Sequence, residues 1–227
     1  MRARPLPGLL RLLEGRVAGP RVADVVAVAR ELVGSGRQVG LAHLPPDGAA
    51  VPALLAALPA GRVAAACEIT VPAGDDELAA AVRSAGASVA VDGSNGVADP
   101  DPGTRVIVRA AEPGAEERCR SLADGRVRLT RGRGPGAALA LVRCLNVLMA
   151  GAGDAAVAAT DPRLVAIAGE RAAWYDRPPE SWEYAMPYGV RTDEQRRLTA
   201  AGHRVRVLVP WGPGAAASLV RGPGGRS

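Results

Sequence analysis

The chain has 227 residues, 48% of them hydrophobic and 22% charged, enough for one large domain with a sizeable core. All 28 basic residues are Arg, which excludes mechanisms that need a lysine amine, such as Schiff bases, a pyridoxal phosphate anchor or a P-loop lysine. The net charge is +5, but the arginines are scattered without a dense run, so nucleic acid is not the expected partner.

The chain begins Met1-Arg2-Ala3-Arg4-Pro5. It is basic, but the apolar stretch behind it is interrupted by Pro7, Gly8, Arg11 and Glu14, so residues 1–20 read as an N-terminal extension rather than a signal peptide. Over 21–34 an apolar stripe of Val22, Val25, Val26, Ala29, Leu32 and Val33 predicts a helix, ended by Gly34 and Gly36. Short Val- and Ala-rich runs then recur at near-regular spacing and predict eight strands, at 39–44, 63–71, 88–92, 105–110, 126–130, 155–161, 182–186 and 204–210. Between them Asp75-Asp76-Glu77 opens a helix with acid at its N-terminus. Residues 137–149 are apolar on most sides, and 192–201 is followed by Gly202 as a C-cap. Alternating strand and helix implies parallel pairing, and eight units imply closure into a (β/α)8 TIM-type barrel over 21–220; an open doubly wound sheet is the alternative. The Gly/Pro-rich residues 221–227 read as a flexible tail. No apolar run is long enough for a membrane span, and the three cysteines are far apart and odd in number. A reducing cytoplasm is the expected compartment.

Several motifs carry two readings. Gly151-Ala152-Gly153-Asp154-Ala155-Ala156 fits a dinucleotide fingerprint, but a helix precedes it and a strand follows, so a plain turn is expected. Gly132-Arg133-Gly134-Pro135-Gly136 lies between a strand and a helix, where an anion could bind or the chain could simply turn. In a barrel, strand C-termini face the site, which singles out Asp92 and Asp161; His43 could face it too, but a lone histidine is more often a structural polar group. For Asp161, followed by Pro162 at a helix start, a helix cap is the slightly favoured reading. His203 precedes a strand and falls on the opposite rim, where its role is structural.

The C-terminal third is more specific. Tyr184-Ala185-Met186-Pro187-Tyr188-Gly189-Val190-Arg191 leads into Gln195-Arg196-Arg197-Leu198, then Gly202-His203-Arg204-Val205-Arg206-Val207-Leu208-Val209-Pro210-Trp211-Gly212. With Arg126-Val127-Arg128-Leu129-Thr130-Arg131-Gly132, Val142 to Gly151 and Ala158-Ala159-Thr160-Asp161-Pro162-Arg163-Leu164, this resembles the monofunctional bacterial proline dehydrogenases over 126–212. The resemblance implies a distorted barrel with FAD at the strand C-termini, oxidising L-proline to pyrroline-5-carboxylate. It makes Asp92 and Arg128 the candidate catalytic residues. It makes Arg128, Arg131, Gly132, Arg109, Thr160 and Asp161 the candidate cofactor contacts, and Arg221 and Leu208 the substrate contacts. The pattern is also broken. Gly222 and Gly225 stand for the second clamp arginine and its orienting acid, and Leu208 for a tyrosine on the proline ring. A family lysine falls at Ile69 or Thr70, a flavin-side glutamine at Arg109, a histidine at Thr160 and a further glutamine at Ala185. The expected function is that of a diverged homologue with weak or no activity on proline and weak or lost FAD. The alternatives are an active dehydrogenase of proline or a related amine, and a basic non-catalytic module that pairs with itself or a paralogue.

Overall fold

The computed structural model of the chain describes residues 17–44, 48–93 and 101–216. In order come α1 (Val22–Gly34), β1 (Gln38–His43), α2 (Val51–Ala57), α3 (Arg62–Ala66), β2 (Cys67–Val71), α4 (Asp76–Ser84), β3 (Ser88–Asp92) and β4 (Arg105–Arg109). They are followed by α5 (Ala115–Ser121), β5 (Arg126–Thr130), α6 (Ala137–Ala150), β6 (Asp154–Ala158), α7 (Pro162–Trp174), β7 (Trp182–Pro187), α8 (Thr192–Ala200) and β8 (Val205–Trp211). The eight strands close into one parallel barrel in sequential order, with β1 paired to β8 from Gln38 opposite Arg206 to His43 opposite Trp211. The open-sheet alternative is thereby excluded.

The apolar core lies between barrel and helices. Alternate strand residues, such as Val39 and Leu41 of β1, Val127 and Leu129 of β5 and Val205, Val207 and Val209 of β8, face outward onto α1 (Val25, Ala29, Leu32) and α6 (Leu141, Leu145, Leu148). With no Phe, this layer is built from small aliphatic side chains. The second strand is shorter than its apolar run: 62–66 is helical and pairing starts at Cys67. Three consecutive alanines favour helix, and only at Cys67 does the neighbouring strand offer backbone partners. The sixth strand stops at Ala158 rather than 161, because Asp161 leaves the ladder to cap α7. Among the described residues no helix is long and apolar enough to cross a membrane.

The dinucleotide-like run is a turn at the N-terminal rim. Gly153 N–H donates to Ala123 O at 2.9 Å and Asp154 N–H to Gly125 O at 2.9 Å. A Cβ on Gly153 would stand 2.6 Å from the Ala123 carbonyl oxygen and closer still to that of Gly125. Both obstacles are backbone, so the turn cannot yield cheaply. Gly153→Ala is expected to cost about 1–3 kcal/mol in urea unfolding; an unchanged midpoint would show that the two turns are not in contact.

Candidate active site

The lumen of the barrel is ionic. Glu68 of β2 reaches across it to Arg105 of β4, with Nε to Oε2 at 2.6 Å, and to Arg128 of β5. Arg105 also meets Asp154 at 2.8 Å and Glu183 of β7 at 3.1 Å, and donates to the carbonyls of Val127 and Asp154. Arg206 of β8 bonds Glu183 at 2.6 Å and donates to Val39 O at 3.1 Å. Arg126 and Arg204 complete the network against Asp154. Contacts between non-adjacent strands place these side chains inside the barrel. Gly40 makes room for them, since a Cβ there would stand 2.8 Å from Leu208 Cδ2 and 3.2 Å from Arg128 Nη2.

Five guanidinium groups share three carboxylates, and they do not share equally. Burial works against the charge of Glu68, but Arg128 and Arg105 outweigh it and hold this carboxyl down at about 2. Arg105 and Arg206 are likewise pushed up, against burial, by Glu68 and Glu183. Arg128 goes the other way. Burial, with Arg105 and Arg206 beside it, lowers its pKa despite Glu68, and its Nε is buried without a hydrogen-bond acceptor. Arg128 is therefore the under-compensated cation of the lumen.

Above this floor lies the C-terminal rim. Asp92 ends β3 and Arg109 ends β4, and they form a two-pronged pair, Nη1 to Oδ1 at 3.0 Å and Nη2 to Oδ2 at 2.5 Å. Glu112 adds a 3.3 Å contact to Arg109. Thr160 and Asp161 follow β6 on the same rim, so the four residues expected at one end are there together. Both are exposed, and Asp161 accepts from Arg163 N–H at 2.9 Å, the capping role. Leu208 lies on the lumen side of β8, over Gly40. Thr70 shares the lumen face of β2 with Glu68, whereas Ile69 is buried in the outer core. After β5, Arg131 is exposed and Gly132 turns at φ +74°, where a Cβ would press on Ala111 at 2.9 Å. Gly134 and Gly136 also have positive φ and bring the chain into α6. Arg221, Gly222 and Gly225 lie outside the described residues.

His43 takes the structural one of its two readings: it is on the outer face of β1 and not in the lumen, its ring 4.6 Å from Trp211. The ionic floor was missed altogether. Its signal is a charge at the centre of an otherwise apolar strand, as in Cys67-Glu68-Ile69 or Val205-Arg206-Val207. His203 is on the N-terminal rim against Tyr184, at 5.6 Å, as expected.

No protein-family model matches the chain. Over 57 residues it is 37% identical to proline dehydrogenase 1 of Bacillus subtilis (strain 168), a stretch that is 25% of this chain and 19% of that protein. The barrel superposes on proline utilization A (PutA) from Bdellovibrio bacteriovorus inactivated by N-propargylglycine, with a TM-score of 0.72 and 14% identity over 93% of this chain and 32% of that one. PutA from Corynebacterium freiburgense gives a TM-score of 0.67 at 12% identity, over 94% of this chain and 31% of that one. The chain thus spans about a third of the length of these structures. It is proline dehydrogenase-like, with the barrel of those proteins and one stretch of related sequence.

Proposed function

We propose that this proline dehydrogenase-like barrel is a diverged flavin-site protein: it keeps a weak cationic seat for an anionic flavin nucleotide and has lost turnover of L-proline. The observation that carries this reading is the Asp92–Arg109 pair. The resemblance gives Asp92 a catalytic part and puts an uncharged glutamine at position 109. In this chain an arginine engages both carboxylate oxygens, so the acid is already neutralised within the protein.

The described residues fit the anionic part of a flavin. Arg131 and the open Gly132–Gly134 turn would hold phosphate, since the positive-φ glycines leave backbone N–H groups without side chains over them. Arg128, whose Nε has no protein acceptor, would face the ring system's negative charge. A bound flavin would supply hydride acceptance, and the protein would supply position and charge. Nothing comparable holds a substrate carboxylate: among the described residues the rim arginine is spent on Asp92, and Leu208 is apolar. The resemblance supports a small amine or amino acid as the class of ligand, and three free, buried cysteines fit a reducing cytoplasm.

Absorbance tests the cofactor half. The purified protein is expected to lack the long-wavelength flavin band, and a titration with FAD to saturate only well above micromolar, weaker still in Arg131→Gln. Sub-micromolar binding by the unmodified chain would show that the seat is intact.

A further inference from the structure

We propose that the cleft between α1 and α8, on the outside of the barrel, binds a phosphoryl group, as free phosphate or as the end of a small phosphate monoester. The cleft has a volume of about 200 Å³ and is lined by Glu31, Arg37, Tyr188, Thr192, Gln195 and Arg196, among others. That admits a phosphate or a small monoester and is below the usual size of a site for a drug-sized ligand.

Arg37 is the reason. It is only 7% exposed. Its guanidinium donates to Ser35 Oγ at 3.0 and 2.7 Å and to Gln195 Oε1 at 3.2 Å, neutral acceptors all. Among the described residues no carboxylate forms an ion pair with it. A buried cation without a counter-ion is costly unless something supplies the charge. The lumen arginines show the contrast, because each of them reaches an acid. Burial, and then Arg196 nearby, push the pKa of Arg37 down.

The surroundings suit a tetrahedral oxyanion. Arg196 offers a second guanidinium; its present partner is the exposed Asp193 at 3.1 Å, a weak surface pair that an anion can replace. Tyr188 and Thr192 bring hydroxyls. The first turn of α8 faces the cleft at Thr192, and no side chain caps its amides, since the N-cap Arg191 is left-handed and makes no cap hydrogen bond. The opposing charges are those of Glu31, exposed on α1 and attracting Arg37 through space without an ion-pair contact, and of Asp193 and Glu194, with Glu194 tied to Arg197. Gln195, 1% exposed, holds Arg37 at one end and donates to Pro187 O and Val190 O at the other, so the cation is fixed before any ligand arrives.

The test is thermal unfolding of the full chain in inorganic phosphate, with chloride added to keep ionic strength constant. The wild type is expected to gain about 3–5 °C at ten times the dissociation constant. Arg37→Met is expected to lose the response. Arg196→Gln changes only an exposed side chain, folds regardless, and is expected to weaken phosphate binding on the order of tenfold. Glycerol phosphate should act like phosphate if the phosphoryl group alone is read, and more strongly if the rest of the ester also finds contacts. A wild type indifferent to phosphate, or an Arg196→Gln protein that responds as the wild type does, overturns the site. Neither outcome bears on the flavin seat, which lies at the barrel mouth.

Discussion

Glu68→Gln is expected to destabilise the barrel by about 3–5 kcal/mol, a fall of roughly 10 °C in Tm for a domain of this size. The substitution conserves shape and removes one charge from a fully buried position. Arg105 would keep Asp154 and Glu183, but Arg128 would lose its one ion-pair contact among the described residues and keep only the more distant attraction of Glu183. The penalty is therefore that of a stranded cation rather than of a lost hydrogen bond. Adding Arg128→Met should recover much of it, and the double-mutant cycle would measure the coupling directly. A single-mutant cost below about 1 kcal/mol would show that water already screens the lumen. The same carboxyl sets an acid limit. Its pKa is lower in the folded state, about 2 against an ordinary 4.5, so its contribution is complete above the higher value and is lost as pH falls from there towards 2. Acid unfolding should accordingly steepen below about pH 4.5, and do so less in the Glu68→Gln, Arg128→Met protein.

No L-proline oxidation is expected with added FAD and a dye acceptor, either from the unmodified chain or from Gly222→Arg. Hydride transfer requires the amino acid to be held by its carboxylate with one ring carbon against the flavin, and a misplacement of about 1 Å costs on the order of 100-fold. The family's clamp is two arginines aimed by an acid. Here Arg221 is followed by Gly222, and Gly225 stands where the acid would be. Restoring one arginine does not restore aim, because Pro223, Gly224 and Gly225 do not favour a helix that would point it. Leu208 removes the aromatic wall, and Arg109 occupies the strand-end acid. Clear turnover by the unmodified chain would overturn the reading and mean that another segment or partner binds the carboxylate.

The rim was legible residue by residue. Asp92, Arg109, Thr160 and Asp161 each sit at or just past a strand end, and parallel strands must bring such ends to one side. What each side chain does there was less legible. That Asp161 caps a helix follows from the proline after it. That Arg109 engages Asp92 does not follow from either strand alone, since seventeen positions separate them and only the β3–β4 pairing makes them neighbours. Which way His43 faces was left open for a related reason. Its place at a strand end was evident, but its face depends on register parity, which one short run of apolar residues leaves open.

Alone, the sequence determined the number, order and near-positions of the strands, because period-two Val and Ala runs separated by helix-length stretches admit few other parallel arrangements. It also carried the resemblance, and with it the expectation that Gly222 and Leu208 replace an arginine and a tyrosine. Only the tertiary structure decided where the charges balance. Glu68, Arg105, Arg128, Glu183 and Arg206 come from five different strands, and their partnership exists only once the barrel has closed and brought opposite walls within reach of a side chain. The same closure leaves Arg128 under-compensated in the lumen, while outside it Arg37 is held by the neutral Ser35 and Gln195 with no carboxylate in ion-pair contact among the described residues. Both follow from long-range Coulomb accounting in a low dielectric, a quantity that no local stretch of residues contains.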